Sequence, residues 1–129
     1  MEDKLSILLV EDNVLNQRIL TFSLKKYKYD VVIANNGIEA IERFREGKFD
    51  VVLMDIMMPL MDGLEATVKI RELESEMNVD SRTPIIALTA NTMDNDREKC
   101  ISYGMDEFMA KPFDIEKLKQ IFQDLEIVK

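Results

Sequence analysis

The sequence has no histidine and no tryptophan, and only one cysteine, three prolines and four glycines in 129 residues. Without histidine the chain cannot run Ser-His-Asp or Cys-His catalysis, build a His-ligated metal site or carry a phosphohistidine of its own. The single thiol, Cys100, has no intrachain partner, which fits a reducing compartment. The glycines stand at 37, 47, 63 and 104, too scattered for the Gly-x-Gly-x-x-Gly of a dinucleotide site. Long apolar runs are missing too. The longest are Ile7 to Val10, Val51 to Met54 and Pro84 to Leu88, far short of the roughly 20 residues of a membrane helix. The opening Met-Glu-Asp-Lys lacks the basic and apolar regions of a signal peptide. A cytoplasmic domain without membrane contact is expected.

Positive charge is scarce. Lysine and arginine total 17 against 25 acids, a net charge of −8, which argues against a nucleic-acid partner held through its phosphates. The apolar fraction of 47% supplies a real core. The length suits one domain over residues 1–129 and leaves no room for a second.

Short apolar runs alternate with longer amphipathic ones. Ser6 to Val10, Asp30 to Ala34, Asp50 to Met54, Pro84 to Leu88 and Glu107 to Ala110 read as five strands, the last the weakest. Between them, Leu15, Ile19 and Phe22 make one helical stripe. Gly37, Ala40, Ile41 and Phe44 make a second, and Ala66, Ile70 and Leu73 a third. Met93 to Ser102 is the thinnest helix, and Ile115, Leu118, Phe122 and Leu125 mark the last. Asp62 suits a helix N-cap. Gly47 and Gly104 suit helix ends that need positive φ, and the stretch from Gln123 to Lys129 reads as a fraying helix end. Strict β-α alternation implies a parallel sheet with helices on both faces, an α/β fold that binds ligands at the carboxyl ends of its strands.

Those ends carry the chemistry. The first strand runs into Glu11-Asp12-Asn13, the third into Asp55, the fourth into Thr89-Ala90 and the fifth into Lys111-Pro112. Three carboxylates, a hydroxyl and an ammonium therefore converge. Close carboxylates repel, and a divalent cation relieves them; an oxygen-only set favours Mg²⁺ over Zn²⁺. A strand-end aspartate can also attack phosphorus to give an acyl phosphate, and the transferring group then wants a metal, a lysine and a hydroxyl around it. Asp55, after Val51-Val52-Leu53-Met54, is the position for that acceptor. Singly, each of these residues is better read as a cap, a turn or a surface lysine. Together, at one end of a parallel sheet, they argue for a site.

The ordered set of motifs resembles the receiver domain of two-component response regulators, most of all those of hybrid sensor histidine kinases. The resemblance rests on Ile7-Leu8-Leu9-Val10-Glu11-Asp12-Asn13, Val52-Leu53-Met54-Asp55-Ile56-Met57-Met58-Pro59 and Met61-Asp62-Gly63. Pro84-Ile85-Ile86-Ala87-Leu88-Thr89-Ala90 and Gly104-Met105-Asp106-Glu107-Phe108-Met109-Ala110-Lys111-Pro112 complete it. Asn13, Asn16 and Gln17, with the run Met57-Met58-Pro59-Leu60-Met61-Asp62-Gly63, carry the likeness to hybrid kinases; the resemblance covers a core of about residues 5–125 and implies no effector domain in this chain.

The resemblance implies a (βα)5 doubly wound, flavodoxin-like sheet of strand order 2-1-3-4-5. It implies that Asp55 accepts a phosphoryl group from a phosphohistidine of a sensor histidine kinase or a histidine phosphotransfer protein. Mg²⁺ would be held by Asp12, Asp55 and the Met57 backbone carbonyl, with Glu11 acting through water. Lys111 would pair with phosphoryl oxygens, Thr89 would hydrogen-bond one of them, and Phe108 would follow Thr89 as the aromatic switch. The Lys111-Pro112 bond would be cis. The added charge of a phosphoryl group would then shift the face formed by the fourth helix, fifth strand and fifth helix, through which family members form phosphorylation-dependent homodimers. The resemblance also implies a regulatory acceptor with slow autodephosphorylation rather than an enzyme, either free-standing or part of a hybrid kinase. Met57 and Asn91 would flank the phosphoryl group. Leu15 and Ile19 would serve partner docking only in part, since some of that stripe must face the core. Met58 or Met61 is expected near the docking surface.

The rivals fare worse. A haloacid-dehalogenase-type phosphohydrolase needs a second acid where Met57 stands. A flavodoxin-type flavin carrier needs a hydroxyl- and glycine-rich loop where Glu11-Asp12-Asn13 would repel phosphate. A degenerate receiver acting only as a binding module lacks a reason for the full acceptor, metal and lysine set.

Overall fold

The computed structural model describes residues 5–56, 58, 60–77, 82–89, 96–110 and 114–127. Its elements alternate as β1 (Ser6–Val10), α1 (Val14–Lys26), β2 (Asp30–Ala34), α2 (Gly37–Glu46) and β3 (Val51–Asp55), then α3 (Gly63–Glu76), β4 (Ile85–Thr89), α4 (Asp96–Ser102), β5 (Glu107–Ala110) and α5 (Ile115–Asp124). The strands pair in parallel in the order β2-β1-β3-β4-β5, a flavodoxin-like sheet. The chain moves outward from β1 to β2 and returns past β1 to β3, so the order reverses between β1 and β3. That switch point is where such sheets open a crevice for ligands.

The sheet separates two apolar cores because successive strand residues point to opposite faces. On one side Leu8, Val10, Val52 and Met54 pack with Ala40 and Phe44 of α2, Ala66 and Ile70 of α3 and Cys100 of α4. On the other, Ile7, Leu9, Val51 and Leu53 pack with Leu20 and Leu24 of α1 and Leu118 and Phe122 of α5. Each fully buried aliphatic side chain contributes about 1.5–3 kcal/mol relative to exposure.

A polar clamp joins α3 to the foot of the sheet. Arg71 Nε donates to the Gly104 carbonyl (2.8 Å), Nη1 to Glu74 (2.7 Å) and to the Thr83 carbonyl (2.8 Å), and Nη2 to Asp106 (2.8 Å). Asp106 also accepts from Arg82 (2.7 Å) and from the Ile85 amide (2.9 Å), and Glu74 accepts from the Thr83 amide (2.6 Å). Among the described residues no helix is long and apolar enough to cross a membrane.

The first, second and fifth strands keep the bounds expected from the sequence. β3 and β4 begin one residue later and close on Asp55 and Thr89, so both candidate site residues belong to the sheet. Asp62 caps α3 by accepting from the Glu65 amide at 2.9 Å, as expected, and Gly104 has φ +110°.

Three expectations fail. Gly47 has φ −127°, because the chain leaves α2 extended. The end after α5 does not fray over its described part: Ile127 donates to the Phe122 carbonyl at 2.8 Å and is buried in the α1/α5 core. The α1 stripe faces solvent, with Leu15 65%, Ile19 50% and Phe22 66% exposed, while Gln17, Leu20 and Leu24 face inward. No part of Leu15–Ile19–Phe22 is core. Leu20 and Leu24 supply the i, i+4 pair that docks on the sheet, and α1 carries a second apolar stripe outward.

Candidate functional site

Register decides what meets at the carboxyl edge. Val10 lies level with Met54, so Glu11 follows β1 at the height of Asp55. Asp55 lies level with Leu88, one residue before Thr89, and Thr89 lies level with Ala110. The carboxylates of Glu11, Asp12 and Asp55 accordingly come together, each offering an oxygen within 4.8 Å of the others. Glu11 and Asp55 are buried, at 1% and 3% exposure, and Asp12 is exposed at the mouth. Thr89 is buried beside them on the neighbouring strand. Phe108 is half-buried on β5, level with Ala87, against the α2–α4 core. Met57, Asn91, Lys111 and Pro112 lie outside the described residues.

Local structure holds each acid. Asn13 is the N-cap of α1: its side chain accepts from the Asn16 amide at 3.0 Å, so capping does not occupy Glu11 or Asp12. Glu11 Oε2 accepts from the Asn13 amide at 3.0 Å. The β3–α3 loop closes through Gly63 N–H donating to the Ile56 carbonyl at 2.9 Å. Gly63 packs against the Asp55 backbone, where a Cβ would collide with the Asp55 carbonyl oxygen and stand 2.9 Å from Met54 Cγ. In the same loop Leu60 takes φ +69° and is 80% exposed. Met58 and Met61, expected near a docking surface, are half-buried against the α2–α4 core.

In the sequence, Gln17 stands out only through the family likeness. The structure buries it under the site. Its Nε2 donates to the Glu11 carbonyl (2.5 Å) and to Asn35 Oδ1 (2.7 Å). Asn35 in turn donates to Glu39 Oε1 through its amide N–H (3.0 Å) and its Nδ2 (2.9 Å). Those two bonds from Asn35, the backbone one foremost, hold the Glu39 carboxyl below its ordinary pKa. The available signal was a lone amide three residues before Leu20 on the inward face of a helix.

The arrangement suits a hard divalent cation. Its donors are all oxygen. Oxygens bonded to one octahedral ion at 2.0–2.1 Å stand about 2.9 Å apart in cis and about 4.2 Å apart in trans, the same scale as the 4.8 Å within which the three carboxylates offer their oxygens. Three acids this close to one another repel, and a cation offsets that repulsion.

Comparison with known proteins agrees. The response regulator receiver domain family matches residues 7–123. Hybrid signal transduction histidine kinase B of Dictyostelium discoideum is 46% identical over 113 residues, covering 82% of this chain and 6% of the relative. Histidine kinase 5 of Arabidopsis thaliana is 39% identical, covering 93% of this chain and 15% of the relative. The chain thus spans only a small part of these kinases. Among solved structures, the receiver domain of Ssk1 from Saccharomyces cerevisiae, in complex with the histidine phosphotransfer protein Ypd1, superposes with a TM-score of 0.89 at 31% identity, covering 99% of this chain and 94% of that one. The receiver domain of a sensor histidine kinase from Pseudomonas aeruginosa PAO1, with a magnesium ion in its active-site cleft, gives 0.83 at 40% identity, covering 95% and 97%. A sheet of this order, a buried acid at the end of its central strand and a family match across nearly the whole chain lead to one conclusion: the protein belongs to the response regulator receiver domain family.

Proposed function

We propose that this chain is the phosphoacceptor of a phosphorelay, with Asp55 taking the phosphoryl group. The observation that carries the reading is the buried Asp55 carboxylate at the end of β3, gathered with Glu11 and Asp12 within 4.8 Å. An Asp55 oxygen lone pair forms the new O–P bond as the N–P bond of a partner's phosphohistidine breaks, and that electron pair returns to the imidazole nitrogen. Asp12, Asp55 and the Met57 carbonyl would hold Mg²⁺, with Glu11 reaching it through water. Held there, the ion would supply positive charge against the acids and the phosphoryl oxygens. Thr89 donates its hydroxyl to a phosphoryl oxygen, and Lys111 supplies a cation. Drawing Thr89 inward makes room for Phe108, which biases the α4-β5-α5 face toward a second state and makes that face the contact of a phosphorylation-dependent homodimer.

The donor is a histidine phosphotransfer protein or the histidine-bearing domain of a hybrid kinase. The outward stripe of α1 begins directly after the acids. A partner that brings a phosphohistidine to Asp55 therefore covers Leu15, Ile19 and Phe22, whose burial supplies apolar docking area. The chain acts as an acceptor in this scheme, without multiple turnover.

Intact mass after incubation with Mg²⁺ and acetyl phosphate tests the reading. One hydroxylamine-labile phosphoryl increment is expected in the wild type and none in Asp55→Asn. A wild type that gains no increment and shows no Mg²⁺-dependent change in amide shifts would leave a binding module without phosphoacceptor chemistry.

A further inference from the structure

We infer that Gln17, braced by Asn35 and Glu39, is a positioning residue for the acidic site, holding the Glu11–Asp12 peptide in the orientation that presents both carboxylates to Mg²⁺. The inference rests on the metal site proposed above.

The ends of the hydrogen-bond chain fix its direction. The Glu11 carbonyl can only accept, and it is met by Gln17 Nε2 at 2.5 Å. The Glu39 carboxylate accepts from Asn35 Nδ2 at 2.9 Å, which turns Asn35 Oδ1 toward Gln17. Gln17 Nε2 spends its second hydrogen on that oxygen at 2.7 Å. Every donor meets an acceptor in one order, from Gln17 to Asn35 to Glu39. The chain links α1, the β2–α2 connection and α2 to a single peptide group. That peptide joins the two acids at the end of β1, so its plane sets where both side chains leave the backbone. On the other side of Glu11, its own amide donates to the Ala34 carbonyl at 3.1 Å. Gln17 is buried, so water cannot take over its two bonds cheaply. Outer partners of this kind orient metal ligands, and their loss typically lowers metal affinity 10–100-fold.

The substitution Gln17→Glu separates positioning from charge. It is nearly isosteric and adds a negative charge beside a cation site, so electrostatics alone would tighten Mg²⁺. It also removes both donors and sets a carboxylate against two acceptor oxygens, which loosens the peptide. MgCl₂ is titrated into the wild type, Gln17→Glu, Gln17→Leu and Asn35→Ala, reading the amide shifts of Glu11, Asp12 and Asp55 beside the thermal midpoint. Affinity is expected to fall about tenfold or more in both Gln17 variants, and by less in Asn35→Ala. Unchanged affinity in Gln17→Leu, or equal or tighter binding in Gln17→Glu, overturns the inference even where the thermal midpoint falls. If the Gln17 variants do not fold, Asn35→Ala at the exposed end of the chain decides, and unchanged affinity there overturns it. A wild type without Mg²⁺ response is seen before any substitution and overturns the proposed site itself.

Discussion

Asp55 and Gly63 hold each other in place. The loop that leaves β3 returns so tightly that Gly63 lies on the Asp55 carbonyl, with no room for a Cβ. Gly63→Ala is therefore expected to cost about 1–3 kcal/mol, the usual scale for overpacking a tight contact, measured by urea denaturation. It should also slow labelling by acetyl phosphate, because relief of the clash moves the Asp55 backbone. An unchanged denaturation midpoint would show that the loop yields elsewhere. The strand-end acids were legible in the sequence because each follows a run of apolar residues that only a buried strand explains. Gln17 was not, since an amide in a helix ordinarily faces water and its partners, the Glu11 carbonyl and Asn35, meet it only after folding. Gly47 differs for a local reason: a glycine after a helix often takes positive φ, but here Gly47 is itself extended and caps α2 by donating its N–H to the Arg43 carbonyl.

Periodicity found α1 but named the wrong face of it. Leu15, Ile19 and Phe22 form a proper stripe, and so do Leu20 and Leu24 about 150° around the helix. Spacing does not say which stripe meets the sheet; the α5 and β1 partners of Leu20 and Leu24 do. The two stripes should respond oppositely to truncation. Leu24→Ala is expected to cost about 2–5 kcal/mol, as a buried leucine does. Leu15→Ala, at an exposed position, should change stability by about 0.5 kcal/mol or less. Leu15→Ala should nevertheless slow phosphoryl transfer from a phosphohistidine protein while leaving acetyl phosphate labelling intact, a split that stopped-flow and intact mass together resolve. Equal transfer rates for Leu15→Ala and wild type would remove α1 from the docking surface. α4 was the faintest element in the sequence because its described buried apolar contribution is Cys100 alone.

The architecture was the most legible level, since alternation of apolar runs and helical stripes leaves few ways to cover a parallel sheet on both faces. Net charge acts on the molecule as a whole. With a net charge of −8, added NaCl should raise the thermal midpoint modestly by screening self-repulsion and should weaken Mg²⁺ binding by screening its attraction. Calorimetry and a Mg²⁺ titration across a salt series check these opposite slopes; parallel slopes would mean that local contacts, not the overall field, dominate. The Arg71 clamp has a mechanical consequence. Gly104 and Asp106, which it grips, sit at the foot of the sheet, at the end of α4 farther from Thr89. A seven-residue helix is about 10 Å long. Any tilt of α4 is thus a swing about a fixed pivot: a rotation of about 10° carries its upper turn through about 2 Å, while the turn beside Arg71 stays where it is.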